Sequence, residues 1–382
     1  MYFRGSNEMP SYDNTCIIVI DLFQLHRFSG GYLRFASVLI KALRRAIEEE
    51  FGSSGLIVAL VRRDWAQMAE AEALRENADV REVYCPRGWM NLLKRELLIW
   101  KYSKHYPTSI SVFPGNFATY AYVPRNSIVV VHDVKFADLP NTVPPPKRLL
   151  RRILVGRSLG KAAKIVAITY YTRERLLSLY GGQLVRKVSV VRTAFDETLL
   201  AIPPDLRVLN ALGLASRSFF LTVATRQPHK NVDTLIDVFQ HLRGERLVVV
   251  GDGGSNRPIP NNVVHVGHVP DKVLATLYAH AKGFLFASLY EGLGLPVLEA
   301  GAFGLPVICS NLPPLREITG GHAVAYIETP TSLSEWVSVL TKFRFEEMQY
   351  VGYKLRRFVL REFSMDRMIL GYKNVLRELR ET

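Results

Sequence analysis

Short apolar runs alternate with helix-patterned stretches along this chain, and the series occurs twice. In the first half, residues 16–20, 56–61, 111–113, 128–131 and 165–168 read as strands, with helical patterns at 33–50 and 173–180. In the second half, strands are expected at 219–224, 247–250, 263–266, 283–287 and 307–309, and helices at 232–242, 273–281 and 296–303. Continuous Val, Ile and Leu runs of this length suit strands buried on both faces. Alternation of strand and helix implies parallel sheets covered by helices. Two such series in 382 residues imply an α/β chain of two doubly wound, Rossmann-like domains. The stretch FDETLLAIPPD, near 196–205, loses both patterns and reads as the linker. The expected division is 9–200, 201–362 and a C-terminal helical segment at 363–382. MYFRGSNE, ahead of Met9, reads as a cloning remnant and is left out of the fold.

Hydrophobic residues make up 48% of the chain, enough for two cores, and no run approaches the ~18 apolar residues of a membrane span. Cys16, Cys85 and Cys309 are an odd set with no metal-site spacing, which suits a reducing, cytosolic location. The net charge of +14 is uneven: 29 Lys and Arg face 18 Asp and Glu in residues 1–200, against 20 and 17 in 201–382. The first half therefore either faces an anionic partner, with nucleic acid and anionic lipid both open on charge alone, or simply carries a basic surface. A nucleic-acid binder would also need one basic stripe with stacking aromatics or a known module, and neither is visible.

SLYEGLGLPVLEAGAFGLPVICS (Ser288–Ser310) holds two glutamates, Glu291 and Glu299, in an apolar setting. Gly292 and Gly294 free the backbone for a tight turn. Pro296 suits a first helical turn, and Gly304 and Pro306 end the helix before a buried strand. The helix start would attract anions, phosphates above all. Glu299, flanked by Val297, Leu298, Ala300 and Ala302, either points to solvent or lines a cleft where a polyhydroxyl ligand supplies hydrogen bonds.

Four more stretches follow strands, where doubly wound folds place functional groups. Ser29-Gly30-Gly31 precedes a helix and is either an ordinary turn or a close backbone approach to a phosphate or sugar. His132 and Asp133 either cap a loop and a turn or face a ligand. In ATRQPHKN, Arg226 and Lys230 either sit in a solvated loop or hold a diphosphate, and Asn231 can cap the following helix. VVVGDGGSN resembles a nucleotide-binding turn without the full GxGxxG spacing.

Together these stretches resemble the retaining glycosyltransferases of family 4, in the bacterial polysaccharide and mannosyltransferase branch. EGLGLPVLEA resembles the family's E-x7-E signature, EGFGLP-x-x-EA, with Leu293 in place of the usual phenylalanine. ATRQPHKN is similar to GxLxPxKN, HVGHVPDKVLATLYAHA to GxVxxxxLxxLYxxA, IVAITYYTRERL to IIAVSxxTxxxL, and HDVKFADLP to HDLxPLxxP. The resemblance implies the GT-B fold, with two Rossmann-like domains facing across a cleft and a last helix crossing back to the first. It implies a nucleotide-sugar donor, GDP-mannose foremost and a UDP-sugar as the alternative. Glu299 would hold ribose hydroxyls and Glu291 hydroxyls of the transferred sugar. Gly292, Leu293, Gly294 and Leu295 would present amides to sugar and diphosphate. Lys230 would neutralise the diphosphate, His132 would sit beside the sugar, and Gly30 and Gly31 would shape the floor near the distal phosphate. Arg226 stands one position off the place where relatives carry a phosphate-binding arginine. Retention would follow a front-face path in which the leaving diphosphate takes the acceptor's proton. No DxD motif is present, and the resemblance implies no cofactor and no metal.

Residues 89–106 (WMNLLKRELLIWKYSKHY) and 147–161 (KRLLRRILVGRSLGK) both read as basic amphipathic helices. Their apolar faces either pack inward or meet an anionic membrane surface. With the resemblance, the expectation is a peripheral enzyme on the inner face of the cell membrane that extends a lipid-linked oligosaccharide.

Overall fold

A computed structural model gives the fold and describes residues 16–23, 30–52, 55–62, 76, 78–83, 89–225, 227–251 and 259–381. The chain forms two compact units. One comprises the chain up to Ile168, Thr172–Thr193 and Asp366–Thr382; the other comprises Thr169–Tyr171 and Ala194–Met365.

The first unit is a seven-stranded sheet, ordered β3-β2-β1-β4-β5-β6-β7. Its strands are β1 (Ile17–Asp21), β2 (Leu56–Arg62), β3 (Asp79–Val83), β4 (Ile110–Phe113), β5 (Ser127–Val131), β6 (Lys164–Ala167) and β7 (Val188–Val190). Every pairing is parallel. The central strand β1 (IIVID) is buried along its whole length, as a strand covered on both faces must be. Helix Gly30–Phe51 turns Phe35, Val38, Leu39, Ala42, Leu43, Ala46 and Ile47 inward, the spacing of one helical face. Helix Met365–Arg380 also packs in this unit, burying Met368, Ile369, Tyr372, Val375 and Leu376. Its rim pairs Lys373 with Glu49 and Arg377 with Glu50, each at 3.0 Å. Such exposed pairs are worth little, so the apolar face carries the attachment.

The second unit is a six-stranded parallel sheet, ordered β10-β9-β8-β11-β12-β13. Its strands are β8 (Phe219–Val223), β9 (Arg246–Val250), β10 (Val263–Gly267), β11 (Gly283–Phe286), β12 (Val307–Ser310) and β13 (Ala325–Ile327). The doubly wound α/β architecture is as expected, with the strand order reversing between β1 and β4 in one unit and between β8 and β11 in the other. Ligands in such sheets bind outside the carboxyl ends of the strands at these reversals.

Three strands were not among the expected ones: β3, β7 and β13. β3 reads DVREV, and β7 and β13 have three residues each, all at sheet edges where burial does not impose an apolar run. The first helix also begins earlier than residue 33, so Gly30 and Gly31 form its first turn rather than a turn ahead of it.

Candidate functional site

In the second unit, the loops after β8 and β11 meet at the strand-order reversal. Lys230 follows β8 in a short 3-10 turn, Pro228–Lys230, and Glu291 follows β11. Lys230 Nζ lies 2.7 Å from Glu291 Oε1, with side-chain exposures of 21% and 8%. The ammonium also lies 5.7 Å from the centre of the Phe286 ring. Two further contacts join the loops: Leu289 N donates to His229 O at 2.7 Å, and Asn231 Nδ2 donates to Ala287 O at 3.1 Å.

Asn231 corrects an expectation. It precedes helix Val232–His241, but its side chain makes no cap bond, and its backbone is left-handed at φ 52°. Instead its amide reaches Ala287 O and Pro330 O, and its Oδ1 accepts from Thr234 Oγ1. Asparagine tolerates the left-handed conformation better than most residues, so one residue both turns the chain and holds the β11 loop.

Helix Leu295–Ala302 follows directly, with Gly294 before it at φ 99°. A Cβ on Gly294 would stand 2.8 Å from Leu315 Cδ2 and 3.1 Å from Ile318 Cδ1. Gly294→Ala therefore combines backbone strain with a clash, and a loss of about 1–3 kcal/mol is expected in urea unfolding. Loss below measurement error would contradict this geometry. The first amides of this helix point back over Gly292–Leu295. Thr169, part of this unit, donates its hydroxyl to Gly292 O at 3.2 Å.

Glu299 is 5% exposed, so it does not point to solvent. Its Oε2 accepts from Tyr278 Oη at 2.8 Å, and the Tyr278 ring stacks on Phe303 with centroids 5.4 Å apart. The sequence reading gave Tyr278 no role; its signal was the tyrosine of the GxVxxxxLxxLYxxA likeness, two residues before the end of helix Asp271–His280. Arg226 and the glycines after Gly251 in VVVGDGGSN lie outside the described residues.

In the first unit, Gly30 and Gly31 open the helix whose Tyr32 and Phe35 pack on His132. The ring centroids are 5.5 Å and 4.4 Å from the imidazole. His132 Nε2 is 2.7 Å from Pro114 O, and its backbone N donates to Asn116 Oδ1 at 2.7 Å. Both partners follow β4, so the imidazole stands beside the β1–β4 reversal. Asp133 Oδ1 accepts from Lys135 N at 2.9 Å, capping the turn.

Burial lowers the His132 pKa from the usual 6.5, outweighing the Pro114 carbonyl and the Asp133 charge, which raise it. The folded state thus resists protonation that the unfolded chain accepts. Stability is full above about 6.5 and declines as pH falls toward the lowered value. His132→Gln should flatten that part of the stability–pH curve in urea titrations, and an unchanged slope would contradict the assignment.

Below this face lies a buried ion pair that the sequence did not announce. Arg95 was read as part of a basic amphipathic surface. It points inward from helix Trp89–His105, is 2% exposed, and is bound to Asp21 at the carboxyl end of β1. Arg95 Nε donates to Asp21 Oδ2 at 2.8 Å, and its Nη2 donates to the same oxygen and to Ala118 O. The Tyr32 hydroxyl is buried nearby without a hydrogen-bond partner, and burial together with the Asp21 charge raises its pKa far above 10. The same helix keeps Leu93, Leu97 and Trp100 exposed, and helix Pro145–Lys161 exposes Leu149, Leu150 and Ile153. No helix among the described residues is long and apolar enough to cross a membrane.

Comparison with known proteins fits this arrangement. The family described as "Glycosyl transferases group 1" matches residues 211–347, which contain Lys230, Tyr278, Glu291 and Glu299. The O-antigen chain mannosyltransferase B of Escherichia coli is 28% identical over 218 residues, 52% of this chain and 57% of that protein. The O-antigen chain mannosyltransferase RfbU of Salmonella typhimurium is 21% identical over 227 residues, 56% of this chain and 60% of that one. The chain thus spans little more than half the length of these relatives. The solved sucrose-phosphate synthase of Thermosynechococcus elongatus superposes with a TM-score of 0.73 at 15% identity, covering 96% of this chain and 99% of its own. That likeness concerns the fold. Residues 211–347 thus match the glycosyl transferases group 1 model, and the two-unit α/β fold is that of solved GT-B proteins.

Proposed function

We propose that this protein is a retaining hexosyltransferase that moves mannose from GDP-mannose onto a lipid-linked oligosaccharide during bacterial surface-polysaccharide synthesis. The observation that carries the reading is the Lys230–Glu291 pair at the β8–β11 reversal, directly before the start of helix Leu295–Ala302. A lysine and a helix start together suit a diphosphate. A carboxylate at its side, with one oxygen held by the lysine, suits sugar hydroxyls. Glu299, held by Tyr278 through one oxygen, suits a ribose diol in the same way. The mannosyl donor rests on the O-antigen relatives and on the HDVKFADLP likeness.

In this reading Lys230 and the helix amides stabilise the charge that builds on the leaving diphosphate, without a metal ion or other cofactor. The departing phosphate oxygen takes the proton of the acceptor hydroxyl on the same face of the sugar, so the anomeric configuration is retained. The roles that the family resemblance implies for Gly30, Gly31, His132 and Arg226 belong to the same reading. The exposed Leu93, Leu97, Trp100, Leu149, Leu150 and Ile153, set among lysines and arginines, support peripheral attachment to the anionic inner face of the cell membrane.

Transfer of radiolabelled hexose to lipid extracts tests the proposal. Label passing from GDP-mannose into organic-extractable glycolipid, with the anomeric configuration kept, is the expected result. Label moving only from UDP-sugars would overturn the donor, and no transfer from any nucleotide-sugar would overturn the activity. Flotation with phosphatidylglycerol vesicles tests the attachment. Salt-sensitive binding lost in Leu97→Gln/Trp100→Gln is expected, and its absence in the unaltered protein would remove the membrane from the account.

A further inference from the structure

The first unit contains a groove of about 620 Å³ that none of the residues assigned to the donor or the sugar lines. Its volume lies within the ~300–1,000 Å³ of small-molecule sites. Short helix Lys135–Asp138, just past His132 and Asp133, forms one wall with Phe136 and Ala137. Helix Pro145–Lys161 contributes Arg148, Leu149 and Arg152, and Leu179 and Tyr180 complete the lining. The walls are firm. Arg175 Nε donates to Asp138 Oδ1 at 3.1 Å, and Tyr180 Oη donates to Arg152 O at 3.2 Å. A side chain on Gly156 would meet the Tyr180 ring at 2.9 Å, so helix and ring are in close contact there.

The groove's lining is mainly apolar, and its charged members are Arg148 and Arg152. Arg148 and Arg152 are one helical turn apart and so share a face. Neither guanidinium has an ion-pair or hydrogen-bond partner among the described residues. Helix Pro145–Lys161 carries no acidic residue, and Lys147 and Arg151 add charge beside the pair. Leu149 links the groove to the exposed Leu150 and Ile153 on the same helix. Two unpaired guanidiniums beside an apolar trough have the polarity of an amphiphile with a phosphate head and a single chain. Surface arginines on a solvated helix would not require the trough, and an apolar metabolite would not require the arginines.

We propose that this groove holds the carrier lipid of the acceptor: its diphosphate on Arg148 and Arg152, and the first units of its isoprenoid chain along Phe136, Ala137, Leu149 and Leu179. The proposal rests on the transferase reading for its biological meaning, but the binding site stands on its own geometry. A lipid held beside helix Lys135–Asp138 enters the first unit a few residues from His132, so the same chain segment would serve the lipid and the sugar.

The test is calorimetric titration of the full chain with farnesyl diphosphate, a soluble single-chain probe, in the Lys230→Ala background that removes the donor-site cation. Saturable binding is expected. It should weaken about tenfold or more in Arg148→Gln/Arg152→Gln, since hydrogen bonds to charged groups are the strong ones. It should also weaken in Leu149→Gln, an exposed position whose substitution leaves the fold intact. Inorganic diphosphate and dihexanoyl phosphatidylglycerol should bind more weakly than the probe. Equal affinity in the groove variants would overturn the proposal. So would equal binding of inorganic diphosphate, which would mark a simple anion site, or of the two-chain lipid, which would mark bilayer contact. A nucleotide-induced thermal shift in Arg148→Gln/Arg152→Gln reports the donor site separately. Failure of the groove and failure of the transferase reading are thereby distinguished.

Discussion

Lys230→Ala should lower turnover by about 10²–10³, the usual cost of removing one group that stabilises developing transition-state charge. The side chain brings a fixed cation to the β8–β11 reversal, 2.7 Å from Glu291 and beside the helix start at Leu295. In the proposed reaction, loss of the cation leaves the leaving diphosphate with the helix amides alone. Both kcat and kcat/KM should fall, because the charge grows as the sugar–phosphate bond breaks. The fold should survive, since Leu289 N to His229 O and Asn231 Nδ2 to Ala287 O still join the two loops. Glu291→Gln keeps the shape and removes the carboxylate charge, and it should also reduce kcat strongly. A Lys230→Ala enzyme within twofold of the unaltered rate would remove Lys230 from the chemistry.

Arg95→Ala is expected to produce the largest stability loss, about 3–5 kcal/mol, because it strands a buried carboxylate. Asp21 is 4% exposed and takes two donations from Arg95 on one oxygen, while its other oxygen accepts from Phe23 N at 3.1 Å. The guanidinium also supplies the Ala118 carbonyl, so its removal unsatisfies a second buried group. Replacing both charges, as in Asp21→Asn/Arg95→Met, should recover much of the loss, since a buried pair replaced by neutral groups costs far less than a broken one. Urea midpoints of the two single variants and the double variant give the coupling directly. A loss below about 1 kcal/mol in Arg95→Ala would show that the pair is hydrated rather than sealed.

The two series of strands were legible because central parallel strands are buried on both faces and their apolar runs cannot be interrupted. CIIVI and RLVVV are of this kind. DVREV was not, because an edge strand is free to carry charges. In the same way EGLGLPVLEA announced its turn and helix through local rules, while its apolar company left open whether Glu299 faced solvent or a cleft. Their partners did not follow. Tyr278 is 21 positions from Glu299, Lys230 is 61 from Glu291, and Asp21 is 74 from Arg95. No periodicity encodes such contacts. Arg95 is the plainest case: in LLKRELLIW it stands beside Lys94 and Glu96 and reads as one more solvated charge, yet the helix phase turns it inward. Asn231 was placed correctly at a helix start but for the wrong bond, because its left-handed backbone turns the amide toward Ala287.

The most direct test of the account is a thermal-shift comparison with GDP, UDP, ADP and dTDP, run on the unaltered protein, Lys230→Ala and Glu299→Ala. A nucleotide that binds only the folded state adds about 2.7 kcal/mol when present at about 100 times its Kd. The account predicts a clear rise in Tm with GDP, smaller in both variants and greater than with the other nucleotides. No shift with any nucleotide, in protein shown to be folded, would contradict the placement of a nucleotide-sugar at Lys230, Glu291 and Glu299.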